Sequence, residues 1–416
     1  MKDNQAKYPQ LRFKDFDDPW EQRKLGKIGK TFTGLSGKTK EDFGHGDAKF
    51  VTYMNVFSNP VSDLEMIDNI EVDAKQNSVE YGDVFFTTSS ETPEEVGMSS
   101  VWLGNKDNVY LNSFSFGYRP DKIFAPYYLA FMLRSPVIRR KFMFLAQGIS
   151  RYNISKTKVM NMEVPVPKLE EQQQIGSFFK QLDNTIALHQ RKLAKLKKLK
   201  QGYLQKLFPK NGSKFPQLRF AGFADAWEER KLGDLATSFE YGLNASAKEF
   251  DGIHKYIRIT DIDDSSRKFD HESLTSPDID LSSADNYKLQ YGDILFARTG
   301  ASVGKTYIYS DSDGLVYYAG FLIRARIKSG VDSNFIFQHT LTSSYENFIR
   351  VTSQRSGQPG VNAKEYSIFE ISVPSYEEQQ RIGSFFKQLD NTIALHQRKL
   401  EKLQELKKGY LQKMFC

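Results

Sequence analysis

The chain of 416 residues contains one long segment written twice. Residues 170–193 read EEQQQIGSFFKQLDNTIALHQRKL, and residues 377–400 repeat them with a single change, 207 positions later. The same displacement relates residues 9–13 to residues 216–220, which both read PQLRF. Because twice this displacement covers almost the whole chain, the sequence is a tandem duplication, and it predicts two copies of one fold.

Between the shared segments the two halves diverge. Residues 81–84 read YGDV and have their counterpart, YGDI, at residues 291–294, a displacement of 210. A displacement that drifts by a few residues is typical of small insertions in the loops of a shared fold. The sequence therefore predicts two similar frames that carry two different inserts, which we interpret as one symmetric scaffold presenting two different reading surfaces.

Each repeated segment opens a long amphipathic helix. Apolar residues recur in a 4-3 alternation over five heptads, which is typical of a coiled-coil seam. From Glu170 to Leu207 such a helix measures about 57 Å at 1.5 Å per residue. Its stripe could pack on its own domain, but the unbroken register favours pairing with the other copy. Ser375 and Glu378 predict a capping box at the start of the second helix. The seam positions of the first helix are Ile175, Phe179, Leu182, Ile186, His189, Leu193, Leu196, Lys200, Tyr203 and Leu207.

The inserts have a mixed pattern. Runs such as Lys49–Val56 and Tyr256–Ile262 predict strands, and Pro126–Ala146 and Asn334–Val351 predict helices. The fold class is therefore α+β, with two mixed α/β domains joined by two long antiparallel coiled-coil helices in a pseudo-two-fold tandem repeat. The predicted divisions are a first domain at 1–168, a first spacer helix at 169–209, a second domain at 210–375 and a second spacer helix at 376–416.

Composition excludes several classes of protein. The only cysteine is Cys416 and the six histidines lack paired spacing, so we expect neither disulfides nor a metal site. The N-terminal residues are polar and no apolar run is long enough to span a bilayer, so we expect a soluble, cytoplasmic protein without a signal peptide. The glycines in residues 300–306 are one residue too close together for a phosphate-binding loop. No catalytic constellation is evident, and we expect a non-enzymatic chain.

The net charge of +7 points mildly toward a polyanionic partner. Residues 170–210 and 377–416, which form the long helices, together carry +9, so the rest of the chain is slightly negative. Their Lys-rich face is either simply solvated or in contact with DNA phosphates or an acidic partner.

Polar, glycine-containing loops at matching places of the two inserts are candidate readers of DNA. Arg pairs with guanine, and Asn or Gln with adenine, in the major groove. Such loops are often only connections, but their recurrence in both halves favours a functional interpretation. The predicted DNA-binding residues are Lys38, Thr39, Lys40, Thr87, Thr88, Ser89, Arg151, Tyr152, Asn153, Arg298, Thr299, Ser302, Lys305, Arg355, Ser356, Gln358 and Asn362.

These features together resemble the specificity subunits of type I restriction–modification systems. The resemblance lies in the helix openers EEQQQI (170–175) and EEQQRI (377–382), each shortly after a Val-Pro, and in YGDILFARTG (291–300) and QPGVN (358–362). It covers the whole chain. The first half departs from it, with TTSS at 87–90 and SRYN at 150–153 in the corresponding loops.

The resemblance implies that the inserts are target recognition domains for double-stranded DNA and that the helices are spacers. It also implies two methyltransferase subunits as partners, with restriction subunits bound through them. S-adenosylmethionine, ATP and Mg would then belong to the partners, with no cofactor in this chain. Two other hypotheses remain open at this point. One is a coiled-coil scaffold protein without DNA readout, and the other is a fused restriction–methylation enzyme, against which the missing catalytic motifs weigh.

Overall fold

The structure is a computed structural model that describes residues 8–210, 212–354 and 357–416. It divides into two compact units. The first unit consists of the chain up to His189 together with Lys399–Cys416, and the second consists of Gln190–Arg398. None of the helices in the described part of the chain is both long and apolar enough to cross a membrane.

The first half of the chain contains eleven strands and five α-helices among its described residues. The strands are β1 (Glu21–Lys24), β2 (Gly29–Thr33), β3 (Phe43–Val51), β4 (Ile67–Ile70), β5 (Val84–Thr87), β6 (Ser89–Ser90), β7 (Ser99–Val101), β8 (Val109–Leu111), β9 (Ser115–Pro120), β10 (Tyr152–Asn153) and β11 (Glu163–Val166). The helices are α1 (Tyr53–Ser58), α2 (Pro126–Leu133), α3 (Pro136–Leu145), α4 (Lys156–Met160) and α5 (Leu169–Leu207).

The second half repeats this order with local differences. Its described strands are β12 (Glu228–Lys231), β13 (Ala236–Tyr241), β14 (Ser246–Glu249), β15 (Lys255–Ile257), β16 (Thr275–Asp278), β17 (Ile294–Ala297), β18 (Thr306–Ile308), β19 (Val316–Tyr318), β20 (Leu322–Ile327) and β21 (Glu370–Val373). The helices are α6 (Leu232–Leu235), α7 (Ser333–His339), α8 (Ser343–Thr352), α9 (Ala363–Ser367) and α10 (Tyr376–Lys413).

The two units share the topology of their main sheet and differ in the smaller ones. A four-stranded antiparallel sheet has the order β2-β9-β5-β7 in the first unit and β13-β20-β17-β18 in the second. A parallel pair, β3 with β8 or β15 with β19, accompanies each sheet. The two-stranded ribbons β1–β11 and β12–β21 are related by the 207-residue displacement in both strands. The predicted duplication of an α+β fold is therefore confirmed.

Within each unit, segments of the two long helices run antiparallel. In the first unit the Phe178 and Tyr410 rings are 5.0 Å apart, and Asp183 pairs with Lys407 further along. In the second unit the corresponding ring pair is Tyr203 with Phe385, at 4.9 Å. All ten predicted seam positions of α5 are buried or half-buried, as the 4-3 pattern requires. The prediction of long, mutually paired helices is confirmed.

The repeated helix openers hold the start of each long helix against its own domain. The carboxylate of Glu171 accepts two hydrogen bonds from Arg12, at 2.7 and 2.8 Å, and one from the Trp20 indole at 3.0 Å. In the second unit Glu378 accepts from Arg219 at the same two distances. A fully buried carboxylate requires such partners. Because Arg12 and Arg219 belong to the two PQLRF segments, the shared Glu explains why PQLRF recurs with each helix.

The next residue of each opener, a glutamine, fixes a second contact. The Gln172 side chain accepts from the Ala125 backbone at 3.0 Å and donates to the Pro167 carbonyl at 2.9 Å. Gln379 makes the equivalent bonds with Asp332 and Pro374. The capping-box prediction for the second helix was half wrong. The Ser375 hydroxyl accepts a hydrogen bond from the Glu378 backbone amide, as predicted. The Glu378 carboxylate, however, accepts from Arg219 and not from the Ser375 amide.

Other local predictions were also partly wrong. The predicted helix Pro126–Ala146 is broken into α2 and α3 because Ser135 caps a new helix that starts at Pro136. Asn334–Val351 is likewise divided, with Thr342 as the cap of α8. The predicted strand Lys49–Val56 ends early because Thr52 caps α1.

Candidate DNA-reading loops

In the first unit the two candidate loops that follow β5 and α3 lie against each other. Strand β6 pairs with β10 in antiparallel register, so that Ser90 opposes Tyr152 and Ser89 opposes Asn153. The Ile154 amide also donates to the Thr88 carbonyl at 2.9 Å. Segments that are about sixty residues apart in sequence therefore form one continuous surface.

The equivalent loops of the second unit meet in the same way. Thr299 forms an antiparallel bridge with Gly360, and the Gly300 amide donates to the Pro359 carbonyl at 3.0 Å. Gly300 has φ of +77°, and a β-carbon there would lie 3.1 Å from the amide nitrogen of Gln358. A glycine at this position thus provides both the left-handed backbone and the room for the Gln358 side chain.

The threonines of the first loop are occupied by internal hydrogen bonds. Thr87 is fully buried, and its hydroxyl accepts from the Met98 backbone at 3.0 Å. The Thr88 hydroxyl donates to the Phe114 carbonyl at 2.9 Å. Ser89 is buried as well, and its carbonyl accepts from the Tyr53 hydroxyl at 3.0 Å. These residues shape the loop, and a direct contact of their side chains with DNA stays a prediction.

Arg298 is the best-placed candidate of the second unit. Its guanidinium carbon lies 5.1 Å from the Tyr241 ring and 5.8 Å from the Phe321 ring, both of which are exposed. A guanidinium held between aromatic faces keeps its hydrogen-bond donors available for a guanine edge.

Two of the predicted lysines are instead engaged inside the protein. Lys305 is buried, with its ammonium 3.1 Å from the Ile262 carbonyl and 2.5 Å from Asp264. Lys38 lies 3.0 Å from Asp73 and 3.6 Å from Asp42. The carboxylate of Asp73 raises the pKa of Lys38, because the hydrogen bond between them favours the charged ammonium. Both lysines hold loops together in this structure, and their DNA contacts stay predictions.

The remaining candidates are mostly exposed. Asn362 caps α9, where its side chain accepts from the Glu365 backbone at 2.9 Å. Thr39 lies at the start of a short 3-10 helix, where its amide and its hydroxyl both donate to the Asp42 carboxylate, at 2.7 and 3.1 Å. Tyr152 and Ser302 are half-buried, and Thr299 is half-buried at the bridge described above. Arg355 and Ser356 lie outside the described residues. The exposed candidates are Thr39, Lys40, Arg151, Asn153, Gln358 and Asn362.

Two arginines anchor the base of the first reading loop. Arg134 donates to the carbonyls of Ser99, Val56, Phe57 and Asn59 at 2.7–3.2 Å. Arg139 donates to the carbonyls of Glu94, Val96 and Gly97 at 2.6–2.8 Å. Burial lowers the pKa of each guanidinium to about 10, which leaves both charged at neutral pH. Sequence reasoning missed these anchors because they bind backbone atoms, which leave no sequence pattern.

Two exposed phenylalanines were also missed. Phe114 and Phe321 are 207 positions apart, and each precedes a strand of the four-stranded sheet beside a reading loop. The candidate loops were chosen for their polar and glycine residues, so the sequence reasoning passed over these two aromatic residues. The available signal was that both positions, 207 residues apart, hold a phenylalanine within inserts that otherwise diverge.

Comparison with known proteins agrees with this architecture. Residues 17–198 and 224–405 each match the type I restriction modification DNA specificity domain. The chain is 25% identical to the MjaVIII specificity subunit of Methanocaldococcus jannaschii over 69% of each chain. It is 24% identical to the EcoKI specificity subunit of Escherichia coli over 65% of this chain and 60% of that one. A crystal structure of an S subunit from M. genitalium has a TM-score of 0.64 at 16% identity, with 98% of this chain and 99% of that chain covered.

Two matches to the same domain, spanning most of the chain, define a class of DNA-recognition proteins with one specificity domain per half. The chain belongs to the type I restriction–modification specificity subunit family. The alternative of a coiled-coil scaffold without DNA readout is not favoured by any of these relatives.

Proposed function

We propose that this chain reads a bipartite, asymmetric DNA target, one half-site with each unit. The observation that carries the proposal is the double match to a specificity domain whose two copies share a frame but differ in their reading loops. An identical pair of readers on a two-fold frame would select a palindrome, whereas two different readers select an asymmetric target.

The loop geometry supports this assignment. In each unit two loops from distant parts of the sequence are joined by backbone hydrogen bonds into one surface. In the second unit that surface carries Arg298, Thr299 and Gln358. The connection after β5 spans residues 88–98, whereas its equivalent after β17 spans 298–305 and is three residues shorter. Different lengths and different side chains on the same frame are what two distinct half-sites require.

The long helices serve as the spacer in this proposal. Helix α5 has 39 residues, and at 1.5 Å per residue it measures about 58 Å. Since both helices are continuous, the number of residues in them sets a fixed distance along the DNA. Inserting four residues near Lys197 and near its equivalent in α10 should lengthen the unread spacer and leave both half-sites unchanged.

We further propose that the chain itself performs no chemistry. Two methyltransferase subunits would bind it and supply S-adenosylmethionine, and restriction subunits using ATP and Mg would join through them. Methylation of a base requires its extrusion from the duplex into a catalytic pocket. The complex would act in the cytoplasm, where chromosomal DNA and incoming DNA are both accessible.

A domain exchange tests the proposal. Residues about 15–165 would be replaced by the corresponding insert of another family member, and methylated sites would be mapped in DNA from cells that express the complete system. The expected result is a changed first half-site with the second half-site and the spacer retained. The reciprocal exchange in the second half is the matched control. A change in both half-sites from one exchange would contradict the proposal.

A further inference from the structure

Phe114 and Phe321 occupy equivalent positions in the two units. Each follows the second strand of the parallel pair, β8 or β19, and directly precedes β9 or β20 of the four-stranded sheet. They are 61% and 62% exposed, although most of the described phenylalanines are buried or packed against a core cluster. A single exposed apolar side chain is ordinary, but the same ring exposed at the same place in two diverged inserts is a repeated feature.

Both rings are connected to the reading loops through the backbone. The Thr88 amide donates to the Phe114 carbonyl at 3.1 Å, and the Arg298 amide donates to the Phe321 carbonyl, also at 3.1 Å. Thr88 and Arg298 are themselves equivalent, since each is the first residue after the central strand β5 or β17. Each phenylalanine is therefore held beside the residue that starts its reading loop.

The neighbouring groups indicate what the rings would contact. The Arg298 guanidinium lies 5.8 Å from the Phe321 ring, so a guanidinium that reaches a base edge brings the ring to the same groove. In the major groove the apolar group on the base edges is the 5-methyl of thymine, which Phe contacts favourably. In the first unit the Thr88 hydroxyl already donates to the Phe114 carbonyl, and its hydrogen is not available to a base.

We propose that Phe114 and Phe321 are equivalent base-contacting residues, one for each half-site. Each ring packs against the 5-methyl group of a thymine next to the position that the adjoining loop reads. The proposal rests on the proposed function, because it assigns these two residues a role within the same pair of DNA-reading surfaces.

Replacement of thymidine by deoxyuridine tests this contact, because it removes only the methyl group. The full chain, assembled with its methyltransferase subunits, would first select its target from a randomised duplex pool. Each thymine of the recovered duplex would then be replaced singly. The wild-type complex should lose about fourfold in affinity at one thymine in each half-site, as expected for one buried methyl group.

The variants assign each methyl contact to its ring. Phe114→Ala should remove the deoxyuridine sensitivity in the first half-site only, and Phe321→Ala in the second only. Phe321→Leu, which keeps an apolar side chain, should retain part of the sensitivity. Tyr81→Ala and Tyr291→Ala are matched controls, since these exposed aromatic residues precede the same central strands at the opposite end from the loops. They should leave the profile unchanged.

The other outcomes each overturn the proposal, and they can be distinguished from one another. If both phenylalanine variants keep the wild-type deoxyuridine profile, or if no thymine replacement matters, the rings do not contact thymine and DNA recognition itself stands. If the variants lose methyltransferase binding and keep their DNA profile, the rings belong to a protein contact. If the wild-type complex selects no sequence, the proposed function fails together with this inference.

Discussion

Lys200 on the first long helix lies 2.7 Å from the carboxylate of Asp390 on the second, within the second unit. The equivalent pair in the first unit, Lys407 with Asp183, is 2.5 Å apart. Both lysines occupy seam positions of a stripe that is mostly apolar, and all four side chains are less than one-third exposed. Sliding one helix along the other would leave these charges unpaired in a half-buried seam, so the two pairs favour a single register.

Removing one partner of this pair should destabilise the second unit. Lys200→Met leaves the Asp390 carboxylate with the Gln338 amide at 3.3 Å but without its cation. We expect a loss of about 1–3 kcal/mol in the free energy of unfolding. The double variant with Asp390→Leu should recover most of that loss, because it removes both charges. Urea denaturation of the single variants, the double variant and the exposed control Lys198→Met measures the coupling. Equal losses in the single and double variants would contradict the pairing.

His339 should make the stability of the second unit depend on pH. Its ring is buried against Phe208 and Phe335, and its Nε2 donates to the Ser372 carbonyl at 3.1 Å. Burial lowers the pKa of His339 to about 3, below the value of about 6.5 in an unfolded chain. The unfolded state therefore binds a proton that the native state excludes, and stability falls as the pH drops below about 6.5.

A methionine at this position provides the control, because Met132 is its equivalent in the first unit at the 207-residue displacement. Between about pH 7.5 and about pH 5 the wild-type chain should lose about 2 kcal/mol more in the free energy of unfolding than His339→Met. Urea denaturation at both pH values gives the change in the free energy of unfolding of each protein. The contributions of groups that titrate in both proteins cancel when the two changes are subtracted. The same pH dependence in both proteins would show that His339 is not excluded from protonation.

Arg298 and Lys305 should behave differently although they are neighbours in one loop. Arg298→Ala should relax one position of the second half-site, at a cost of about 1–3 kcal/mol in specific binding, with little change in the thermal midpoint. Lys305→Met leaves the Ile262 carbonyl and Asp264 without their buried cation, so it should lower the thermal midpoint. Selection from a randomised duplex pool, together with thermal unfolding, separates the two effects. A uniform loss of affinity on all sequences for Arg298→Ala would indicate a phosphate contact instead.

The contrast between Arg298 and Lys305 shows what could not be predicted from the sequence. The duplication and the long paired helices follow from repeats and periodicity, which any reader of the chain can count, whereas the meeting of the candidate loops was visible only in the structure. The partner of Lys305 is Asp264, some forty residues earlier, and no local pattern brings them together. The break at Ser135 is different. Its Ser-Pro signal was present, but the apolar content of the surrounding residues outweighed it.

The first half of the chain should assemble with a second copy of itself. In the first unit Phe178 packs on Tyr410 at 5.0 Å, and Phe179 packs on Phe415 at 5.8 Å, so both contacts depend on the end of α10. A fragment of residues 1–210 lacks that helix. Its own α5 carries Tyr203 at the position of Tyr410. Phe208, directly after α5, stands at the position of Phe415. Two fragments can therefore exchange helix ends in an isologous antiparallel contact.

The resulting dimer would present the first reading surface twice, so together with methyltransferase subunits it should methylate a palindrome of the first half-site. Light scattering gives the mass of the fragment, and mapping of methylated bases gives its target. Phe208→Ala removes the ring that would replace Phe415, and it should weaken the dimer at a concentration where the unmodified fragment is paired. Gln205→Ala, at an exposed position of the same helix, is the matched control. A monomeric fragment, or a dimer with an asymmetric target, would mean that the two helix copies cannot substitute for each other.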